Sequence, residues 1–344
     1  MNSSSRVFAT VVLALIAGSS GARAGSIDAI YAFGDSLSDV GNVFALTGVP
    51  QPPYVNGQFS NGPVWVQDLA AGLGLAPLTP SVLGGTDYAY GSGETGNASF
   101  DTSNPITDLL GPTGQLAQFE ATHATADPNA LYTIWIGAND LSDIPAGSTP
   151  AQAATDIGTI AANIDTAIGT LAGLGAKNFL IVTVPDLGKT PEAIAGGPLA
   201  VATATALSSS LDSTLVGGSG PIPSLAGLAA ADGLNLKVLN TFSLIDSIVA
   251  NPGAYNLTDA TDACYVPAAM PPTPCANPSQ YLFWDGLHPT AAGHAIVADA
   301  ALTLVTPEPS SIWLSGLGLA GLCLCFRRYA HRDRIRYSRQ PDRI

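Results

Sequence analysis

Four short apolar runs, at residues 27–33, 131–137, 179–184 and 236–239, recur along this chain with stretches of helical character between them. Short, apolar and often β-branched, they read as strands of a sheet whose two faces are both covered. The stretches between them open on helix-start residues. Pro63 lies near the first turn of 62–72, Thr149-Pro150 heads 149–172, Thr190 precedes 191–216, and 289–304 closes the set. Strands alternating with helices predict an α/β sandwich around a parallel sheet. The span 25–305 is long enough to bury one sizeable core, and no internal repeat divides it. The Pro- and Gly-rich section 252–279 reads as a long surface loop, since essential residues follow it.

The two ends read differently. Residues 1–24 carry a charged start at Arg6, an apolar stretch over 7–17 and a small-x-small site at Ala22-Arg23-Ala24, the pattern of a cleaved secretory signal. Residues 306–344 begin with Thr306-Pro307-Glu308-Pro309, continue through an apolar run over 310–326, and end in a tail holding Arg327, Arg328, Arg332, Arg334, Arg336, Arg339 and Arg343. That run is at the short end of what spans a bilayer, and its arginine flank fits a cytoplasmic tail. Of the 12 basic residues, only Lys177, Lys189 and Lys237 fall in 25–309, against 24 acids, a formal charge of −21. Such a surface offers nothing to a phosphate backbone, so nucleic acid is excluded as a partner, while solubility is favoured.

Cys264 and Cys275, in the exported part, suit a small disulfide loop in an oxidising compartment. No second cysteine pair and no suitably spaced histidines accompany them, which disfavours zinc; no other metal or cofactor constellation emerges. Cys323 and Cys325 fall within the apolar run near the end of the chain.

Two strings at opposite ends of 25–305 carry the chemistry: Phe33-Gly34-Asp35-Ser36-Leu37-Ser38-Asp39 and Asp285-Gly286-Leu287-His288-Pro289-Thr290. A serine hydroxyl is a weak nucleophile until a histidine takes its proton, and a carboxylate must fix that histidine's tautomer and stabilise its charged form. Asp285 and His288 are close enough for one turn to place them side by side. Ser36 and Asn139 each follow an expected strand directly, so both should face the crevice at the carboxyl edge of the sheet. Ser36 alone would also read as a helix N-cap. His294 is a rival base inside the last helix, His123 has no accompanying motif, and Asp35 and Asp140 read as backbone-bonding residues. Trp65, Trp135 and Trp284 read as core or pocket wall. No Gly-x-Ser-x-Gly elbow occurs, which counts against the ordinary α/β-hydrolase layout.

Five stretches, in order, resemble the GDSL (SGNH) esterase/lipase family: residues 33–42, Phe59-Ser60-Asn61-Gly62-Pro63-Val64-Trp65, Asp87-Tyr88-Ala89-Tyr90-Gly91-Ser92-Gly93, Ile136-Gly137-Ala138-Asn139-Asp140, and 285–290. The resemblance implies a three-layer, flavodoxin-like α/β/α fold and no cofactor. By the same resemblance Ser36 is the nucleophile, His288 the general base and Asp285 its orienting carboxylate. The Asn139 side chain and the Ser36 amide would serve the oxyanion hole, together with an amide of the glycine block, either Gly91 or Ser92. That block departs from the family, which commonly has asparagine at the position of Asp87 and consecutive glycines where Gly91-Ser92 stand.

The C-terminal segment resembles the PEP-CTERM sorting signal, which implies recognition by an exosortase-type enzyme, removal of the apolar helix, and delivery to the cell surface or extracellular matrix. Without that removal the chain would stay anchored in the inner membrane. The expected activity is hydrolysis of a lipid, short-chain or polysaccharide O-acyl ester through an acyl-enzyme. The alternative is a non-catalytic matrix or adhesion module on the same fold.

Overall fold

A computed structural model describes residues 27–96, 108–269 and 271–306. The signal segment, the apolar run 310–326 with its arginine tail, and Cys323 and Cys325 lie outside the described residues. Strand β1 (Ile30–Gly34) leads to helices α1 (Asn42–Thr47), α2 (Trp65–Gly72) and α3 (Gln115–Thr122). Strand β2 (Leu131–Trp135) follows, then α4 (Ala138–Asp143), α5 (Pro150–Leu174) and β3 (Asn178–Val182). Next come α6 (Pro191–Ala195), α7 (Pro198–Gly217), α8 (Leu225–Asp232), β4 (Asn235–Leu239) and α9 (Thr241–Ala250). The short strands β5 (Asp259–Ala263) and β6 (Tyr281–Phe283) precede the last helix, α10 (Ala291–Val305).

Strands β1 to β4 form one parallel sheet in the order β1-β2-β3-β4. The extended segment 86–90 lines the free edge of β1: Ala32 N donates to Thr86 O at 3.1 Å, Tyr88 N to Ala32 O at 2.7 Å, and Tyr90 N to Gly34 O at 3.2 Å. Side chains alternate between faces along a strand, and each face here has its own core. Phe33, Tyr132, Ile134, Phe179 and Ile181 pack on one side with Phe119 of α3, Ile164 and Leu171 of α5 and Leu211 of α7. Ile30, Ala32, Leu131, Leu180, Val182 and Leu239 pack on the other with Trp65 and Leu69 of α2 and Val297 and Ala301 of α10. The result is the three-layer α/β/α sandwich that strands apolar on both faces require.

Register sets up the site. Gly34 lies opposite Trp135, so β1 and β2 end level and the turns beyond them share one edge. The strands approach so closely there that a Cβ on Gly34 would lie 2.4 Å from the Trp135 carbonyl oxygen. Gln115 brackets the same residue, its Oε1 accepting from Gly34 N at 2.9 Å and its Nε2 donating to Gly34 O at 2.7 Å.

The chain departs from expectation in three places. The helix expected over 191–216 is two helices, because Gly197 takes φ 86° and Pro198, opening α7, lacks the N–H to continue the first. Helix α2 starts at Trp65 rather than 62, with Pro63 ahead of it. The section 252–279 is not all loop: β5 runs parallel to β6, pairing Asp259 with Tyr281 and Ala263 with Phe283. Polar β5 has none of the apolar character that marks the main strands, which is why composition hid it. Beyond β5, Cys264 N donates to Phe283 O at 3.1 Å and Tyr265 N to Trp284 O at 2.6 Å, and Cys264 is joined to Cys275.

Candidate active site

Ser36 sits in the turn after β1, and the turn between β6 and α10 brings His288 to it across 252 positions of sequence, His288 Nε2 lying 2.8 Å from Ser36 Oγ. On the other side of the ring, His288 Nδ1 lies 2.9 Å from Asp285 Oδ2 and 3.0 Å from Oδ1. Asp285 Oδ1 also accepts the backbone amides of Leu287 at 2.9 Å and His288 at 2.8 Å, so the turn itself fixes the carboxylate. Burial pushes the Asp285 carboxyl up, but the hydrogen bond and positive charge of His288 and the two amides outweigh it and hold it down at about 2. The carboxylate is thus ionised where an imidazolium would need it. The structure brings Ser36, His288 and Asp285 into one hydrogen-bonded line.

The donors expected for a developing oxyanion are the Asn139 side chain, the Ser36 amide and an amide of the glycine block. Gly137 takes φ 115° at the cap of α4, and the turn it makes delivers Asn139 to the same edge as Ser36. Asn139 Nδ2 donates to Gly93 O at 2.9 Å, which leaves its second N–H. In the glycine block the Gly91 amide donates to Asp39 Oδ2 at 2.9 Å, so it is committed away from the nucleophile. Among the described residues the Ser36 and Ser92 amides meet no acceptor. Ser92 holds φ 65°, the left-handed conformation that a second glycine would adopt without strain.

Asp39 and Asp87 support this block from within. Asp39 also accepts Gly41 N at 2.7 Å and Asn42 N at 2.6 Å, while Asp87 accepts Val40 N at 2.9 Å and Asn42 Nδ2 at 3.1 Å. Burial raises both carboxyls, and for Asp87 the neighbouring Asp39 adds to it. The Phe59 ring lies 5.4 Å from that of His288 and against Gly91, where a Cβ would come within 2.4 Å of it.

The other candidates fall into supporting roles. Asp35 accepts Leu37 N at 2.9 Å, and its burial raises it to about 7 against the opposing effects of that amide and of His288. Asp140 bonds its own backbone amide, as expected, and also accepts Thr95 N and Oγ1 at 3.0 Å and 2.6 Å, tying the segment after the glycine block to α4. His294 is wholly buried in α10 with neither ring nitrogen partnered, and burial, then the charge of His288, hold it down to about 3. His123 stacks on Phe119 at 4.3 Å at the end of α3. Trp65 is core and donates to Ser38 Oγ at 3.0 Å beneath the nucleophile turn. The described residues hold no cluster of His, Cys, Asp and Glu fit for a metal. One contact had no signal in the sequence: Tyr54, from a Pro-rich stretch outside every motif, donates its hydroxyl to Asp285 Oδ2 at 2.7 Å.

The family model described as GDSL-like lipase/acylhydrolase matches residues 30–301, and the PEP-CTERM protein-sorting motif matches 305–328. A thermolabile hemolysin of Vibrio parahaemolyticus is 25% identical over 291 residues; the match covers 80% of this chain and 63% of the hemolysin, less than two thirds of its length. A phosphatidylcholine-sterol acyltransferase of Aeromonas hydrophila is 25% identical over 325 residues, covering 81% of this chain and 90% of the enzyme. Among solved structures, an acetylxylan esterase from Geobacillus stearothermophilus matches with 14% identity and a TM-score of 0.42, over 83% of this chain and 96% of the esterase.

Proposed function

The chain belongs to the GDSL-like lipase/acylhydrolase family and is a hydrolase of ester bonds, and we propose that it works outside the cytoplasm through an acyl-enzyme formed on Ser36. The observation that carries this reading is the unbroken line from Ser36 Oγ through His288 to Asp285, with contacts of 2.8 and 2.9 Å. His288 Nε2 takes the Ser36 proton as Oγ attacks the ester carbonyl. The oxyanion is met by Asn139 Nδ2 and by the Ser36 and Ser92 amides, each able to contribute about 3 kcal/mol or more of transition-state stabilisation. Collapse expels the alcohol, which takes the proton back from His288. Water, deprotonated by the same imidazole, then releases the acid.

Acyl esters of lipids are the substrate class we favour, since a relative named as a phosphatidylcholine-sterol acyltransferase aligns along most of this chain. The sorting motif indicates export and surface sorting. We further propose that residues 1–24 are cleaved, that an exosortase-type enzyme removes the apolar run 310–326, and that Cys264 and Cys275 remain joined outside. The test is a series of p-nitrophenyl acetate, butyrate and palmitate given to the full chain and to Ser36→Ala. Wild type should cleave at least one ester and rank acyl length, while Ser36→Ala should lose the turnover with its circular dichroism unchanged. Retained turnover in Ser36→Ala would overturn the mechanism.

A further inference from the structure

The catalytic turn is clamped from outside by one segment. Along residues 54–61, Tyr54 bonds Asp285, the Phe59 ring meets His288, Ser60 Oγ donates to Pro289 O at 2.9 Å, and Asn61 Oδ1 accepts Ala291 N at 2.7 Å. Tyr54 alone of these reaches the triad carboxylate, and it does so at Oδ2, the oxygen nearer His288 Nδ1. Its ring does not hang free. It meets Tyr265 edge-on at 5.8 Å and Trp284 at 6.3 Å, and those two stack on each other at 5.5 Å. Tyr265 is pinned by its bond to Trp284 O and by the Cys264–Cys275 link beside it, while Trp284 N donates to His288 O at 2.7 Å. Every support of the Tyr54 ring therefore belongs to the same substructure as the catalytic turn.

We infer that Tyr54 is a positioning residue of the catalytic relay, a fourth member that sets the orientation and charge density of Asp285 from an aromatic platform locked by the disulfide. This rests on the acyl-enzyme reading above. A hydroxyl donating to a carboxylate draws electron density from it, so Asp285 holds the protonated imidazole less tightly with Tyr54 present than without it. The imidazolium is then the stronger acid when the leaving group needs its proton. Among the described residues the other titratable groups near this pair are Tyr265 beside Tyr54, Asp35 and His294 within electrostatic reach of His288, and Glu192, whose amide donates to Gly286 O at 2.9 Å in the same turn.

The test is Tyr54→Phe in the full chain, which keeps the ring and its packing and deletes the donor, assayed on whichever p-nitrophenyl ester wild type cleaves. A lost charge-assisted hydrogen bond should lower kcat about tenfold with KM unchanged. The acid limb of the kcat/KM profile should also move to higher pH, which loosened packing alone would not produce. Replacing Tyr54 with 3-fluorotyrosine, a stronger donor, should keep turnover and move the limb the opposite way, and it serves if Tyr54→Phe folds poorly. An unmoved limb in the folded variants, with or without a fall in kcat, overturns the inference. Ser36→Ala run alongside separates the two failures: if it stays active the acyl-enzyme reading falls, whereas if it is dead and the limb is fixed only the role of Tyr54 falls.

Discussion

In the proposed mechanism Asn139 and Ser92 meet the oxyanion by different means, one through a side chain and the other through backbone, and substitution tells them apart. Asn139→Ala removes the donor itself and should lower kcat about 10²- to 10³-fold with little change in KM, since the bond matters in the transition state. Ser92→Gly keeps the amide and relieves a left-handed serine at φ 65°. It should hold kcat within about threefold of wild type and stabilise the fold by about 1 kcal/mol in urea denaturation. A collapse of activity in Ser92→Gly would make the hydroxyl, not the amide, the donor. Sequence supplied the candidates at this scale but left Gly91 and Ser92 open; the commitment of Gly91 to Asp39 is what favours Ser92 in the proposed hole. Tyr54 was illegible for a related reason: its partner is 231 positions away and no local pattern records such a contact.

At the scale of elements, the sheet's role is to end β1 and β2 level, and Gly34 is where that depends on a missing Cβ. Gly34→Ala would drive a methyl against the Trp135 carbonyl, and backbone cannot swing aside as a side chain does. The variant should lose about 3 kcal/mol by urea denaturation and lose kcat as well, because Ser36 lies two residues on. Unchanged stability would mean that the strands part easily there. The main strands were legible because burial on both faces leaves a continuous apolar run, and their ends fell within a few residues of expectation. Strand β5 and helices α1, α4, α8 and α9 were not, being short, none longer than ten residues. Segment 86–90, matched only as a motif, proved to be an extended edge that carries the glycine block to the site.

For the whole molecule, buried carboxyls make pH a stability variable. Burial lifts Asp35 and Asp212 to about 7 and Asp165 to about 6, and burial with neighbouring acids lifts Glu94 to about 8. Unfolded carboxyls titrate near 4, so between about pH 4 and 8 the native state binds more protons than the unfolded one, and stability falls as pH rises. Asp285 works the other way, its contribution present above the unfolded value and lost as pH falls towards about 2. The melting temperature should therefore rise on going from pH 8 to about 5 and decline again below about 4. A melting temperature that is flat or falls from pH 8 to 5 would mean that these carboxyls are ionised inside the fold.

The proposed chemistry depends on a covalent bond to one oxygen atom. Treating the full chain with a fluorophosphonate and mapping the adduct by peptide mass spectrometry tests that directly. One adduct is expected, on Ser36, absent in Ser36→Ala and formed far more slowly in His288→Ala. Ester turnover with no adduct, or an adduct on any other residue, would contradict it.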